Sequence, residues 1–307
     1  MCSSDLENGM QKLREVLEQA QKNRVAVGHF NIGDQNILMG VFAAARELRV
    51  PVIVGVSEGE RAFLGVRQVA ALVKSLRDEF DFPIFLNADH THSLAKALEA
   101  ANTGFDSIVF DLSALPFDEN VRQTREAVQK LKAINPDILV EGEIGDIGSG
   151  SEIHETAPDL SKFRTTPDEA KKFIAATGID ILAPAVGNMH GLVPSMVEGK
   201  TKKHLDIEGI AAIKNETHSL LTLHGGSGTD DGDFVRAIQA GINVVHINTE
   251  LRLAWRNSLD ASLAQHPGEV VPYKILPAVV ESIKQVALSR LRLFNGATAQ
   301  ATGKSAG

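Results

Sequence analysis

Short, almost wholly apolar runs alternate with amphipathic stretches of helical period along nearly the whole chain, and this alternation limits the fold most tightly. The runs fall at residues 25–30 (VAVGHF), 51–56 (PVIVGV), 83–86, 107–110, 138–143, 179–185, 220–223 and 243–247. Between them the apolar spacing switches to the helical period. Over 35–48, Ile37, Leu38, Val41, Phe42, Ala45 and Leu48 share one face. Further helices are predicted over 66–80, 94–102, 117–134, 206–215, 230–240, 250–265 and 275–291, and another begins at Thr166-Pro167-Asp168-Glu169. Pro at the first helical position and acids in the first turn suit a helix start. Strands that are apolar throughout, rather than alternating, are strands covered on both faces. Eight such strands, each followed by a helix, predict a (β/α)8 TIM barrel of class α/β. A doubly wound open sheet is the alternative, but no GxGxxG follows the first strand and no composition break divides the chain.

The chain has 307 residues, 43% of them hydrophobic, enough for one large core. Its net charge of -8 and scattered Lys and Arg speak against a nucleic-acid partner. The densest basic cluster, KTKK at 200–203, is long enough for a single phosphate only. One cysteine, Cys2, permits no intrachain disulfide and suits a reducing cytoplasm. No apolar run approaches the roughly 18 residues of a membrane span, and no signal peptide is evident. One catalytic domain is expected over 7–295. Residues 1–6 (MCSSDL) read as a non-native remnant and 296–307 as a flexible tail.

Barrels of this kind place their chemistry at the C-terminal ends of the strands. At or just past those ends stand Asn31, Ser57, Asp89-His90, Asp111, Glu143, His190, His224 and His246. A lone histidine at a strand end is usually structural. Several histidines and three carboxylates on one rim are not explained that way. His90, His190 and His224 come from separate strands or the loops after them. Three imidazoles with an open fourth position is the pattern of a catalytic zinc site. His92 stands two residues beyond His90 and is expected to face away, and His29 lies inside a strand as a core or supporting residue. His154, His204, His218 and His266 read as surface or loop residues.

Two glycine-rich segments flank these histidines: AVGNMHGL (185–192) and LHGGSGTDD (223–231), the second leading into a helix. Glycines before a helix N-terminus leave backbone N–H groups open to an anion. Late in a barrel this is the usual phosphate position. No lysine falls inside any strand, where a Schiff-base mechanism would want one. That favours a metal for carbanion chemistry.

The segments VGHFNIGD, PVIVGVSEG, NADHTHS, VEGEIGDIG, TTPDEAKKFIAATGIDILAPAVGNMHG, LHGGSG and INTELR, in this order and spacing, resemble those of the class II, metal-dependent fructose-bisphosphate and tagatose-bisphosphate aldolases. The resemblance runs from about Leu13 to Phe294. It implies that His90, His190 and His224 bind one catalytic Zn2+, with Asp111 and Glu143 as a second carboxylate pair near the metal. It implies Asp89 as the acid/base at the C4 hydroxyl and Glu152 as the residue exchanging the enediolate proton. Gly191, Gly225, Ser227, Asn248 and Thr249 would line the site of the C1 phosphate, with Lys200 as its lysine. Asn31 and Ser57 would lie on the substrate side. A second divalent or a monovalent cation, and a homo-oligomer (dimer or tetramer), also accompany the family.

Two departures bear on the substrate. His246, in VVHINTEL, stands where relatives usually carry an asparagine that contacts the substrate oxygens, and is expected as a substrate contact or as a fourth histidine near the metal. LPAVVESI (276–283) has valines where relatives often carry an arginine for the distal phosphate, leaving Lys274 as a substitute. The expected reaction is reversible cleavage of fructose 1,6-bisphosphate to dihydroxyacetone phosphate and glyceraldehyde 3-phosphate. The alternatives are another ketose phosphate, such as tagatose 1,6-bisphosphate, a metal-dependent barrel hydrolase, or a non-catalytic sugar-phosphate-binding protein.

Overall fold

A computed structural model describes residues 11–145, 147–148, 150, 152–155 and 164–296. The expectations for residues 1–6 and for 297–307 lie outside the described residues. Eight strands, β1 (Val27–Asn31), β2 (Val52–Val56), β3 (Ile84–Thr91), β4 (Ser107–Phe110), β5 (Leu139–Ile144), β6 (Ile181–Pro184), β7 (Leu220–Leu223) and β8 (Ile242–Ile247), form a closed barrel in sequence order. Every pairing is parallel, and β8 closes on β1. A helix follows each strand, as the alternation predicts.

Several helices start where side chains take up their free N–H groups. Asp34 accepts from the Ile37 amide to cap Gln35–Leu48. Thr166 and Glu169 form a capping box ahead of Pro167–Thr177. Asp230 accepts from Gly232 and Asp233 at the head of Asp231–Ala240.

Among the described residues four helices escape the strand–helix reading, of which Pro194–Val197 and Pro272–Ile275 are single turns. Leu13–Asn23 precedes the barrel, and its buried face is Leu13, Val16, Leu17 and Ala20. It packs against Val27, Ile53, Phe85, Leu139, Ile181, Leu220 and Val244, the first inward-facing layer of the barrel. The helix therefore seals the N-terminal mouth with an apolar plug. Glu58–Leu64 is a short extra helix between β2 and the next long helix, started by a Ser57–Glu60 capping box.

Strand β3 is the other difference. It runs on to Thr91, beyond the apolar stretch 83–86, so Asp89 and His90 lie within it. Its register against β4 shifts between Ala88 and Thr91, and His90 sits at φ 32°. A bulge of this kind re-aims a side chain at a barrel rim, and polar residues in a strand hide it from an apolar-run reading. Among the described residues, no helix is long and apolar enough to cross a membrane.

Candidate active site

Above the sealed layer the interior turns polar. Side chains two apart in a strand share a face, so His29 and Asn31 of β1, Asn87 and Asp89 of β3, and Glu141 and Glu143 of β5 all enter the barrel from its C-terminal half. They meet across it. Asn31 Nδ2 donates to Asp89 Oδ2 at 2.8 Å, Asn87 Nδ2 to Ser107 Oγ at 2.8 Å, and Thr222 Oγ1 to Glu141 Oε2 at 2.8 Å.

Three histidines converge at the rim: His90 from the β3 bulge, His190 from the loop after β6, and His224 from the end of β7. The His90 ring lies 4.7 Å from both the His190 and the His224 rings. A ligand nitrogen from each lies within 4.8 Å of the others. Each ring spends one nitrogen on an oxygen. His90 Nδ1 meets Asp111 Oδ2 at 2.9 Å, His190 Nδ1 meets the Gly148 carbonyl at 2.8 Å, and His224 Nε2 meets Glu141 Oε1 at 2.6 Å. Fixing one nitrogen as donor leaves the lone pair on the other. His224 Nδ1 is buried and makes no aligned hydrogen bond, although Glu143 Oε2, equally unpartnered, lies 3.1 Å away. The set therefore fits a divalent cation: three imidazoles with a free nitrogen each, and a buried carboxylate oxygen beside them. His90, Asp111 and Glu143 form an overlapping group, which is where the second carboxylate pair was expected.

The protonation states reflect crowding. Burial would push His90 down, but the charge of Asp89 and the hydrogen bond to Asp111 outweigh it and raise it to about 9. Burial likewise opposes, and Glu141 and Glu143 overcome, a rise of His224 well above its usual value. His190 goes the other way, lowered to about 3 by burial and the neighbouring imidazoles. Burial and the nearby Asp111 raise Glu143.

Asp89 stands beside the three rings on the side of the opening, its Oδ1 3.8 Å from His90 Nε2. Burial favours its neutral form, but His90 and His246 hold it well below the usual carboxylate range. Oδ2 is fixed by Asn31, while Oδ1 is buried with no hydrogen-bond partner. Asn31 also donates to Glu60 Oε2 at 3.0 Å, and Glu60 Oε1 meets Arg252 at 2.9 Å. His246 stacks on His29 at 3.5 Å and on His224 at 4.2 Å, with its Nδ1 3.5 Å from Asp89 Oδ1. The His29 ring has room because residue 55 is glycine, where a Cβ would lie 2.1 Å from it.

Asn31, Asp89, His90, His190, Gly191, Gly225, Ser227, His246, Asn248 and Thr249 line one concave opening at this rim. Gly191 and Gly225 lie at φ 69° and 59°. A Cβ on Gly225 would meet the Met189 carbonyl at 2.2 Å, so the two glycine-rich segments touch. Ser227 Oγ accepts from the amides of Asn248 and Glu250, tying the second segment to the end of β8. Three expected site residues are not among those lining the opening. Ser57 caps Glu58–Leu64. Lys200 is exposed and pairs with Glu198 at 2.6 Å. Glu152 is exposed, with its main chain bonded to Leu192 next to Gly191. His92 turns outward and contacts the Asp111 carbonyl.

Four residues of the site were not singled out in the sequence. Glu141 orients His224, and its signal was the E-x-E spacing in VEGEI, which puts Glu141 and Glu143 on one face. Arg61 donates to the carbonyls of Val56 and Asp89 and to Thr91 Oγ1. Glu60 holds Asn31. Lys203 is buried with its Nζ on the carbonyls of Met189, Gly191 and Gly225. The last three depend on how loops and a short helix fold back, which no local spacing reveals.

A family profile described as "Fructose-bisphosphate aldolase class-II" matches residues 11–299. The fructose-bisphosphate aldolase of Geobacillus stearothermophilus is 33% identical over 285 residues, 92% of this chain and 96% of that protein. That of Thermus caldophilus is 31% identical over 301 residues, covering 91% and 96%. Among solved structures, the YdjI aldolase of Escherichia coli K12 superposes with a TM-score of 0.78 at 28% identity, covering 95% of this chain and all of that one.

Proposed function

This chain belongs to the class-II fructose-bisphosphate aldolases, a family of metal-dependent lyases, and from that premise we propose that it is a zinc-dependent aldolase reversibly cleaving fructose 1,6-bisphosphate to dihydroxyacetone phosphate and glyceraldehyde 3-phosphate. One observation carries the reading. Three imidazoles with free nitrogens, two of them (His90 and His190) lining an opening walled by two glycine-rich segments, stand beside an unpartnered carboxylate oxygen, Asp89 Oδ1. An aldol cleavage needs an electron sink, a base and an anchor, and the opening offers all three.

His90, His190 and His224 would hold the ion, which supplies Lewis-acid polarisation of the ketose carbonyl. Asp89 takes the proton of the C4 hydroxyl on Oδ1 while Asn31 fixes Oδ2. The C3–C4 bond then breaks, C4 leaves as the aldehyde, and the electron pair stays at C3, delocalised to the C2 oxygen. A proton returned to C3, with Glu152 as its carrier, completes the ketone product. Backbone N–H groups around Gly191, Gly225 and Ser227, with Thr249, anchor the C1 phosphate.

A second reading, the same chemistry on another ketose phosphate such as tagatose 1,6-bisphosphate, is favoured by His246. Its ring fills the space between His29 and His224 and reaches toward Asp89. A flat imidazole there presents a different shape and hydrogen-bonding pattern from the asparagine usual in relatives. A cytoplasmic homo-oligomer belongs to the same reading.

The deciding test incubates zinc-loaded protein with fructose 1,6-bisphosphate and detects dihydroxyacetone phosphate. Cleavage should vanish on chelation and return with zinc. If bound zinc produces no cleavage, the substrate assignment fails and ketose phosphates differing at the distal end become the candidates.

A further inference from the structure

Lys203 is 3% exposed, although it belongs to the densest basic cluster of the sequence. Its Nζ donates to the carbonyls of Met189 and Gly191 at 2.7 Å each and of Gly225 at 3.0 Å. Those acceptors belong to both glycine-rich segments, and Gly191 and Gly225 line the opening. The lysine main chain is bound to the second segment as well, through Gly228 and Asp230. No carboxylate is hydrogen-bonded to this ammonium among the described residues. Glu250 is the one carboxylate whose charge acts on it appreciably, and Glu250 is itself held by both arms of Arg290.

Three backbone carbonyls converging on one point form a binding site for a small cation of about the size of potassium or ammonium. Without a cation there, three carbonyl dipoles would face one another in a buried place. We propose that the Lys203 ammonium is a built-in monovalent cation, which draws the two glycine-rich segments together and sets a positive charge behind the wall of the phosphate site, fully developed once an anion is bound. This assignment rests on the reading that the opening takes a phosphate ester. It also makes Lys203, rather than Lys200, the lysine that serves the anion. Lys203 is a positioning residue, because it acts through the backbone of Gly191 and Gly225. Burial without a close counter-ion pushes it down to about 7, and a bound phosphate would supply the missing negative charge.

Two consequences separate a built-in cation from a merely structural lysine. The protein should bind phosphate esters equally well in potassium and in choline salts, since choline is too bulky for a three-carbonyl nest. Shortening the side chain should empty the nest and create a requirement for a free small cation.

The experiment is calorimetric titration of the zinc-loaded protein with glycerol 3-phosphate, in choline, potassium and ammonium chloride at equal ionic strength. The natural chain should show one affinity in all three salts. Lys203→Ala should lose about tenfold or more in choline, and potassium or ammonium should restore most of it. Lys203→Met, which fills the same space with an uncharged chain, should lose affinity without being restored by any salt. A natural chain that needs potassium overturns the proposal, and this arm stands even if both variants fail to fold. So does a Lys203→Ala variant that binds normally in choline, or whose loss neither small cation relieves. If the natural chain binds no phosphate ester in any salt, the phosphate-site reading itself fails, a result distinct from failure of the lysine assignment.

Discussion

At the scale of single residues, Asp89 carries the most testable chemistry. It is the buried carboxylate with one oxygen fixed by Asn31 and the other without a partner. Asp89→Asn keeps the shape and removes the base. Cleavage should fall by about 10²–10⁴-fold, the usual worth of a positioned acid/base, while zinc content measured by elemental analysis stays at the natural level. Turnover that survives would move the base elsewhere. Glu141 makes the opposite kind of prediction. It touches no substrate-facing atom, but its carboxylate fixes the His224 tautomer at 2.6 Å. Glu141→Gln should weaken zinc binding by about 10–100-fold in competition with a chromogenic chelator, with cleavage recovered at high zinc. The two residues also differ in how far the sequence reveals them. Asp89-His90 stands out because a charged pair interrupts the end of an apolar strand. Glu141 lies inside a run otherwise read as buried, and only its two-residue spacing from Glu143 marks it.

At the scale of elements, the strand–helix alternation made the barrel legible because every βα unit repeats the same two periods. It could not reveal the β3 bulge, since a bulge is a matter of pairing between strands, not of one strand's composition. It also passed over Leu13–Asn23, whose apolar spacing was present but lies outside the repeating unit. Nor could it give the path of the loop carrying Lys200 and Lys203, where a shift of three residues separates an exposed ion pair from a buried clamp. The bulge has its own support in the short helix Glu58–Leu64. From that helix Arg61 reaches the Val56 and Asp89 carbonyls and Thr91 Oγ1, bracing β2 against β3 around His90 at φ 32°. Arg61→Met should strand these buried acceptors at a cost of about 1–3 kcal/mol each, read as a lower urea midpoint. Zinc affinity should fall with it, because His90 loses its brace. Arg61→Lys should recover only part of both, since an ammonium cannot reproduce the guanidinium fork. A variant that loses stability but binds zinc as before would separate the brace from the metal site.

At the scale of the whole molecule, the barrel is divided along its axis. One end is an apolar layer sealed by Leu13–Asn23, and the other is a buried cluster of imidazoles and carboxylates. The sealed end can supply stability for the polar end, where charges are held apart from water for the sake of the ion. The ion should return part of that stability. At a free zinc concentration about 100 times its Kd, linkage gives roughly 2.7 kcal/mol, which for a chain of 307 residues corresponds to a Tm rise of about 4 °C. The rise should depend on pH in a defined direction. In the metal-free protein His90 is raised to about 9, against burial, by the charge of Asp89 and its bond to Asp111. A histidine raised in the folded state contributes stability fully present below its unfolded value near 6.5 and lost as pH climbs through about 9. Zinc needs that imidazole neutral, so over the same window the ion meets less competition from the proton. Melting curves with zinc and with chelator should therefore diverge as pH rises from about 6.5 to about 9, with the metal-free curve falling. Curves that stay parallel across this window would mean that the His90 proton and the metal do not compete, and the three-histidine assignment would have to give way to a set without His90, such as Glu141, His224 and His246.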